Sequence, residues 1–333
     1  MTDSPIHPEP LLTVAVPTCN GAAHLAEAIG GIMAQDGVVF ELIISDDRSD
    51  DETVEVVGAM AGGRARIEVN PDRLGLAGNW NRCVALSRTP IVAVFHQDDV
   101  MEPGHLAAHA RAFADDERIG LVASASEVID DRGEPVPATV VGRGGLGPTD
   151  RILQPGELAA AMVGGNPLRC SAVTLRRAAF DDAGGFDASY RYVLDWDFWL
   201  RVSRRWKVAW LARPSVRVRW HAASETHRFK TGTADLDETA RLLAELFAVD
   251  LRDRPDAKAL RRAANGRLAR AFLNRAHDAL RAGRAEVARE ALRRGLRLSP
   301  SLIGTILRDP RLGIPMAALA ASPRLARRLF SLR

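Results

Sequence analysis

The sequence predicts an α/β protein, with helices flanking a mostly parallel sheet and an α-helical extension behind it. Three observations carry that expectation. Short β-branched runs alternate with amphipathic stretches through the first half of the chain, the pattern of crossover connections. From about Asp235 the composition turns to Ala, Arg and Leu with helical periodicity throughout. With 333 residues, 47% of them hydrophobic and 26% charged, the chain can bury a full core without disulfides or structural metal.

Leu11–Val16, ended by Pro17, reads as the first strand, and Ala22–Ala34 as a helix with Leu25, Ile29 and Met33 at helical spacing. Val38–Ser45 is the next strand and Thr53–Ala61 the next helix. A third strand, Ala65–Val69, leads through a glycine-containing loop to a helix near Trp80–Ser87 and the strand Ile91–Phe95. A helix over His105–Ala114 and a strand over Leu121–Ile129 complete the pattern. The Gly- and Pro-rich stretch Asp130–Pro148 is too long for a simple connection, which suggests a functional loop. Another strand covers Val216–Trp220. Further on, the 34 residues Arg267–Pro300 read as a single tetratricopeptide-like helix pair turning at Gly283. The expected domains are residues 1–230 and a helical extension over 235–333.

The net charge of +3 hides an asymmetry. Residues 251–333 hold 20 Lys and Arg against 6 Asp and Glu, a balance of +14 that leaves −11 for residues 1–250. No nucleic-acid motif accompanies this basic tail, so nucleic acid is not an expected partner. Segments such as Pro323–Arg333 combine Leu, Phe and Arg in a way that suits peripheral contact with an anionic membrane. Solvated arginine faces are the plainer alternative. Three widely spaced cysteines, Cys19, Cys83 and Cys170, form no CxxC pair, and no apolar run is long enough to span a bilayer. The N-terminus lacks the basic region and apolar core of a signal peptide. A cytoplasmic protein is expected, peripheral on the cytoplasmic face of the membrane if the tail binds lipid.

In a parallel sheet, ligands bind beyond the carboxyl ends of the strands. Those ends carry Pro17-Thr18-Cys19-Asn20, then Ser45-Asp46-Asp47-Arg48-Ser49-Asp50, then His96-Gln97-Asp98-Asp99. Adjacent carboxylates repel unless a cation or hydrogen bonds hold them. Oxygen ligands select Mg²⁺ or Mn²⁺. Asp50 and Asp51 fit the N-terminus of the following helix better than a ligand site. A later stretch supplies Gly184-Gly185-Phe186-Asp187 and Leu194-Asp195-Trp196-Asp197-Phe198-Trp199-Leu200-Arg201. There Trp196, Trp199 and Leu200 share a helix face and can enter the core. Asp195 is then either the N-cap of that helix or a carboxylate beside aromatic bulk, suited to general-base work.

The series VPTCN, ISDDRSDDET, RLGLAGNWNRCVALSRTPIVAVFHQDD, GGFD and LDWDFWLR, in this order and spacing, resembles the family 2 glycosyltransferases of the GT-A fold over residues 11–225. The resemblance implies a Rossmann-like mixed sheet flanked by helices and an inverting transfer from a nucleotide-diphospho-sugar donor to a saccharide or lipid-linked acceptor, in cell-surface polysaccharide or glycoconjugate synthesis. It implies that Pro17, Thr18 and Asn20 line the nucleotide site and that Asp46 and Asp47 hold base and ribose. Asp98-Asp99 resembles the DxD-type metal motif, with Asp98 toward the donor and Asp99 as the direct ligand of Mn²⁺ or Mg²⁺. Asp195 matches the general base, and His221 a further metal or phosphate contact. Two positions depart from the pattern. Gln97 replaces the first acid of a full DxD, and Leu194 the Glu that ordinarily precedes the base. Two other readings compete: a GT-A scaffold that binds nucleotide without turnover, and a sugar nucleotidyltransferase, whose Gly-rich N-terminal loop is missing from PTCNGAA. Acceptor choice is expected in Asp130–Pro148 and around Gly164–Cys170.

Overall fold

The structure, a computed structural model, describes residues 9–137, 144–221, 224, 229–308 and 316. It divides into two compact units, residues 1–221 and 222–333.

The first unit is built on one nine-stranded sheet with the order β3-β2-β1-β4-β8-β6-β9-β5, and β7 beside β9. Strands β1 (Leu12–Thr18), β2 (Phe40–Asp46), β3 (Ala65–Val69) and β4 (Ile91–Val94) run parallel. Every residue of β1 and β4 is buried, because helices cover both faces and leave no solvated side for polar alternation. The helices are α1 (Ala22–Met33), α2 (Thr53–Ala61), α3 (Gly75–Leu86) and α4 (His105–Asp115). On α1 the buried residues Leu25, Ala28, Ile29 and Ile32 form one stripe. Gly62, left-handed at φ 54°, ends α2.

The sheet is less uniformly parallel than expected. Strand β6 (Ile119–Ile129) does not join β4; the short β8 (Val173–Arg176) lies between them, antiparallel to both. Strand β9 (Lys207–Arg219) runs parallel to β6 with register shifts near Pro214. The two-residue β5 (Val100–Met101) and the three-residue β7 (Arg151–Leu153) pair antiparallel with β9. The carboxyl ends of β1, β2, β4, β6 and β9, and the amino end of β8, therefore share one rim.

Among the described residues this unit also holds three short α-helices, α5 (Glu157–Met162), α6 (Arg177–Ala183) and α7 (Leu194–Ser203), and a 3-10 turn at Cys170–Ala172. The Gly-Gly-Phe stretch has a clear local cause. Both Gly184 and Gly185 are left-handed, and a Cβ on Gly185 would lie 2.9 Å from Asn81 Oδ1. Asn81 grips the Phe186 backbone in both directions, accepting its N–H at 2.8 Å and donating to its carbonyl at 2.9 Å. Phe186 then joins Phe180, Phe198 and Trp199 in an aromatic cluster under α7.

The second unit is helical: α8 (Ala234–Ala248), α9 (Ala257–Arg281), α10 (Ala285–Leu298) and α11 (Leu302–Arg308). Gly283 turns the α9–α10 pair at φ 72°. A Cβ at Gly295 would meet the Ala269 carbonyl at 3.1 Å, so glycine there lets α10 approach α9 closely. A buried bidentate pair, Arg275 with Asp235 at 2.9 and 2.7 Å, ties α9 to α8. The segment Pro323–Arg333 lies outside the described residues.

Candidate active site

The rim begins where β1 and β2 end. Asp46 and Asp47 are both buried, and each is held by three hydrogen bonds. Asp46 accepts from Thr18 Oγ1 (2.7 Å), Ser49 N (2.8 Å) and Ser49 Oγ (2.6 Å). Asp47 accepts from Asn70 Nδ2 (2.9 Å), Leu74 N (2.7 Å) and Gly75 N (2.9 Å), which caps the start of α3. A carboxylate has about four acceptor positions, so each retains room for roughly one donor from a ligand. Among the described residues, Asn20 and Arg48, at φ 50° and 61°, are the non-glycine residues with left-handed backbone. That conformation costs on the order of 1 kcal/mol each. Asn20 is held in it by accepting from Asp50 N at 2.8 Å and donating its own N–H to Ser49 Oγ at 2.9 Å. Pro17 is buried in β1, paired with Ser45 of β2. At the start of α2, Asp51 accepts from Thr53 N at 3.1 Å and from Ala22 N at 3.2 Å, while Asp50 pairs with Arg73.

The end of β4 carries the second cluster. Gln97 Oε1 accepts the Cys19 N–H at 2.9 Å, and its Nε2 donates to the Cys19 carbonyl at 3.2 Å. Asp98 Oδ2 lies 2.9 Å from His221 Nε2. Burial pushes the Asp98 carboxyl up, but the His221 hydrogen bond and the charges of His96 and His221 outweigh it and hold it below its usual value. Asp99 is more enclosed. It accepts from Ser171 Oγ at 2.5 Å and from the Arg219 backbone N–H at 2.8 Å, and burial together with the charge of Asp98 raises its carboxyl. Burial lowers the His96 imidazole against the pull of Asp98 and Asp195; its Nε2 is buried with no hydrogen-bond partner. The Arg219 guanidinium braces this turn from beneath, donating to the carbonyls of Asp98 and Asp130 at 3.0 Å each and pairing with Glu27 of α1.

Asp195 is not a helix cap. Helix α7 already begins at Leu194, with Val193 before it, and Asp195 lies in the first turn, half-buried. Its Oδ2 accepts from Asn166 Nδ2 at 2.8 Å and its Oδ1 from Trp196 N at 2.7 Å. Burial raises its carboxyl to about 6, against the opposing effects of the Trp196 N–H and the charges of His96 and Arg169. His96 is thus within electrostatic range of both Asp98 and Asp195.

Residues 13–180, about half the chain, match the profile described as Glycosyl transferase family 2. The chain belongs to that family. An uncharacterized protein of Mycobacterium tuberculosis is 29% identical over 259 residues, covering 72% of this chain and 76% of that one. A PGL/p-HBAD biosynthesis glycosyltransferase of Mycobacterium bovis is 29% identical over 196 residues, 58% of this chain and 69% of that protein. Among solved structures, the mannosyltransferase PcManGT of Pyrobaculum calidifontis, in complex with GDP-Man and Mn²⁺, superposes with TM-score 0.55 at 18% identity, covering 97% of this chain and 83% of that one. S. aureus TarS 1–349 in complex with UDP gives 0.54 at 16%, covering 92% and 78%. At such identities these structures speak for the fold.

As a family 2 glycosyltransferase the chain has a donor set that fits a divalent cation. His96, Asp98 and Asp99 each offer a ligand atom, all within 4.8 Å of one another, with His96 Nδ1 3.7 Å from Asp99 Oδ2; one imidazole nitrogen and two carboxylates suit a divalent cation. Sequence reasoning named neither His96 nor Ser171, Arg219 or Asn166 for a role. Ser171 and Arg219 reach Asp99 from 72 and 120 residues away in the chain, a proximity that no local pattern encodes. Asn166 does fall in the stretch flagged for the acceptor.

Proposed function

We propose that this glycosyltransferase inverts the anomeric carbon in a single displacement, with Asp195 as general base. The arrangement that supports the reading is Asp195, raised toward 6 by burial, on the same rim as the Asp98–Asp99 turn. A base with a value near the working pH is both deprotonated and able to accept a proton. The acceptor hydroxyl attacks the anomeric carbon, its proton passes to Asp195, and the bond from that carbon to the diphosphate oxygen breaks with its electron pair on the leaving nucleoside diphosphate. Asn166 orients the carboxylate. Asp46 and Asp47 each offer one remaining acceptor position to base or ribose, beside Pro17, Thr18 and Asn20.

Asp98 and Asp99 would hold Mn²⁺ or Mg²⁺, with His96 in range and His221 orienting Asp98. When bound, such an ion supplies positive charge that offsets the charge developing on the diphosphate. Relatives named for UDP-GlcNAc and GDP-Man complexes support a nucleotide-sugar donor. Relatives named for succinoglycan and PGL/p-HBAD biosynthesis support a saccharide or lipid-linked acceptor in cell-surface polysaccharide or glycoconjugate synthesis.

The test is Asp195→Asn. General-base assistance is worth about 10²–10⁴-fold, so turnover is expected to fall at least that far while the donor still raises the melting midpoint in Mn²⁺. Normal turnover in the variant would sink the assignment.

The same reading extends to a membrane surface. Arg289, Arg293 and Arg297 are exposed at i, i+4 and i+8 on α10, a charged stripe suited to anionic lipid on the cytoplasmic face. Among the described residues, no helix is long and apolar enough to cross a membrane, so attachment would be peripheral. Cosedimentation with anionic liposomes that weakens with salt is the expected result; no sedimentation at low salt rejects it.

A further inference from the structure

The segment from Asn166 to Ser171 reaches both carboxylates that the transfer reading uses. Asn166 Nδ2 donates to Asp195 at 2.8 Å, and Ser171 Oγ donates to Asp99 at 2.5 Å. Arg169 stands between them, half-buried, within the acceptor-side stretch Gly164–Cys170. Its charge reaches Asp195, yet among the described residues no carboxylate forms an ion pair with its guanidinium.

Plain solvation does not account for this placement. The far end of the long loop is fastened beside the arginine: Gly145 N donates to the Pro167 carbonyl at 2.6 Å, and Trp210 Nε1 to the Gly147 carbonyl at 2.9 Å. A Cβ on Gly144 would lie 3.7 Å from Arg169 Nε, so glycine backbone covers the side chain. A guanidinium partly withdrawn from water is costly without an anion. Asp195 cannot remain that anion through a turnover, because a general base becomes neutral when it takes the acceptor proton. Until then, the arginine's charge pulls against the very base it sits beside.

We propose that Arg169 binds an oxyanion carried by the acceptor, a sugar carboxylate or a phosphate, and so selects acidic acceptors. The proposal rests on the reading of Asp195 as the general base, which puts the acceptor on this side of the rim. A planar guanidinium matches either anion with two parallel hydrogen bonds. Seated there, the anion neutralises the charge that opposes Asp195 and holds the attacking hydroxyl near the base. A neutral acceptor does neither. The donor diphosphate has its own counter-charge in the cation proposed at Asp98–Asp99, so it does not need this arginine.

The test titrates the full chain, in Mg²⁺ and without donor, with matched probes followed by saturation-transfer NMR. The probes are methyl glucuronide, methyl glucoside and the 6-phosphate of methyl glucoside. At least one anionic probe is expected to bind about tenfold or more tightly than the neutral one, and the stronger anion names its source as a uronate or a phosphorylated acceptor. Arg169→Gln, verified as folded by circular dichroism, is expected to abolish the difference while leaving the neutral probe unchanged; Arg169→Lys is expected to keep part of it. Equal binding of charged and neutral probes, or a preference that survives in Arg169→Gln, overturns the proposal. Displacement of the anionic probe by UDP or GDP also overturns it, since the arginine would then serve the donor diphosphate. No turnover enters the measurement, so its failure leaves the transfer reading standing, which Asp195→Asn tests separately.

Discussion

Gln97 and Cys19 are joined by two hydrogen bonds, side-chain amide to backbone, at 2.9 and 3.2 Å. The amide both accepts and donates, which a carboxylate cannot do. The glutamine at this position thus fastens the end of β4 to the end of β1. Gln97→Glu keeps the length and the acceptor but sets a charged oxygen against the Cys19 carbonyl. The expected loss is about 0.5–1.5 kcal/mol, measured by denaturant unfolding, together with weaker donor binding by calorimetry.

Asp195 links rate and stability with opposite signs. Its carboxyl in the folded protein is raised to about 6 from 3.8, so the folded state holds this proton more tightly than the unfolded chain. Its destabilising contribution is absent below about 3.8, grows as pH rises toward 6, and is complete above that. Asp195→Asn is therefore expected to raise the melting midpoint at pH 7 by a few degrees but not at pH 3.5. In the parent enzyme kcat is expected to fall as pH drops below about 6, because the base becomes protonated.

Asn166 donates to Asp195 at 2.8 Å and so favours its charged form. Removing that donor in Asn166→Ala is expected to move the acidic limb of the kcat profile upward by up to about one pH unit. A merely structural role would lower the rate without moving the limb.

Arg219 is almost fully buried and satisfies the carbonyls of Asp98 and Asp130 while pairing with Glu27. Arg219→Met leaves those carbonyls without a donor and is expected to cost about 1–3 kcal/mol in chemical denaturation. Arg219→Lys recovers only part, because an ammonium cannot span three acceptors with the planar guanidinium geometry.

The parallel half of the sheet is legible in the chain because its cues are local. Thr53–Ala61 and Ala65–Val69 fall where the sequence puts them, since Gly62 stops the helix and the strand is a distinct run. By contrast, Val-Thr-Leu-Arg of β8 is too short to carry a period, and β9 is broken in pattern by Pro214, so only its last residues look like a strand. The helix before β4 begins at Gly75 rather than near Trp80, because Asp47, distant in sequence, supplies its cap. At the site, the acidic strand ends are readable as a group. Their partners Ser171, Arg219 and Asn166 are not, since each arrives by a chain path that only the completed sheet defines.

The placement of β8 between β4 and β6 also sets an order on folding. Strands β1 to β4 and their helices involve only nearby segments and can pair as soon as residue 94 is made. Strand β6 cannot. Both of its neighbours, β8 and β9, lie downstream, and its first five residues, Ile119–Ala123, are all buried in the finished sheet. During synthesis this apolar strand has no sheet partner until Val173 emerges, so the nascent chain passes through a stage with an adhesive edge exposed. The β1–β4 half would thus be the early, robust part of the enzyme, and completion of the rim by β8, β6 and β9 the slow step most dependent on chaperone protection.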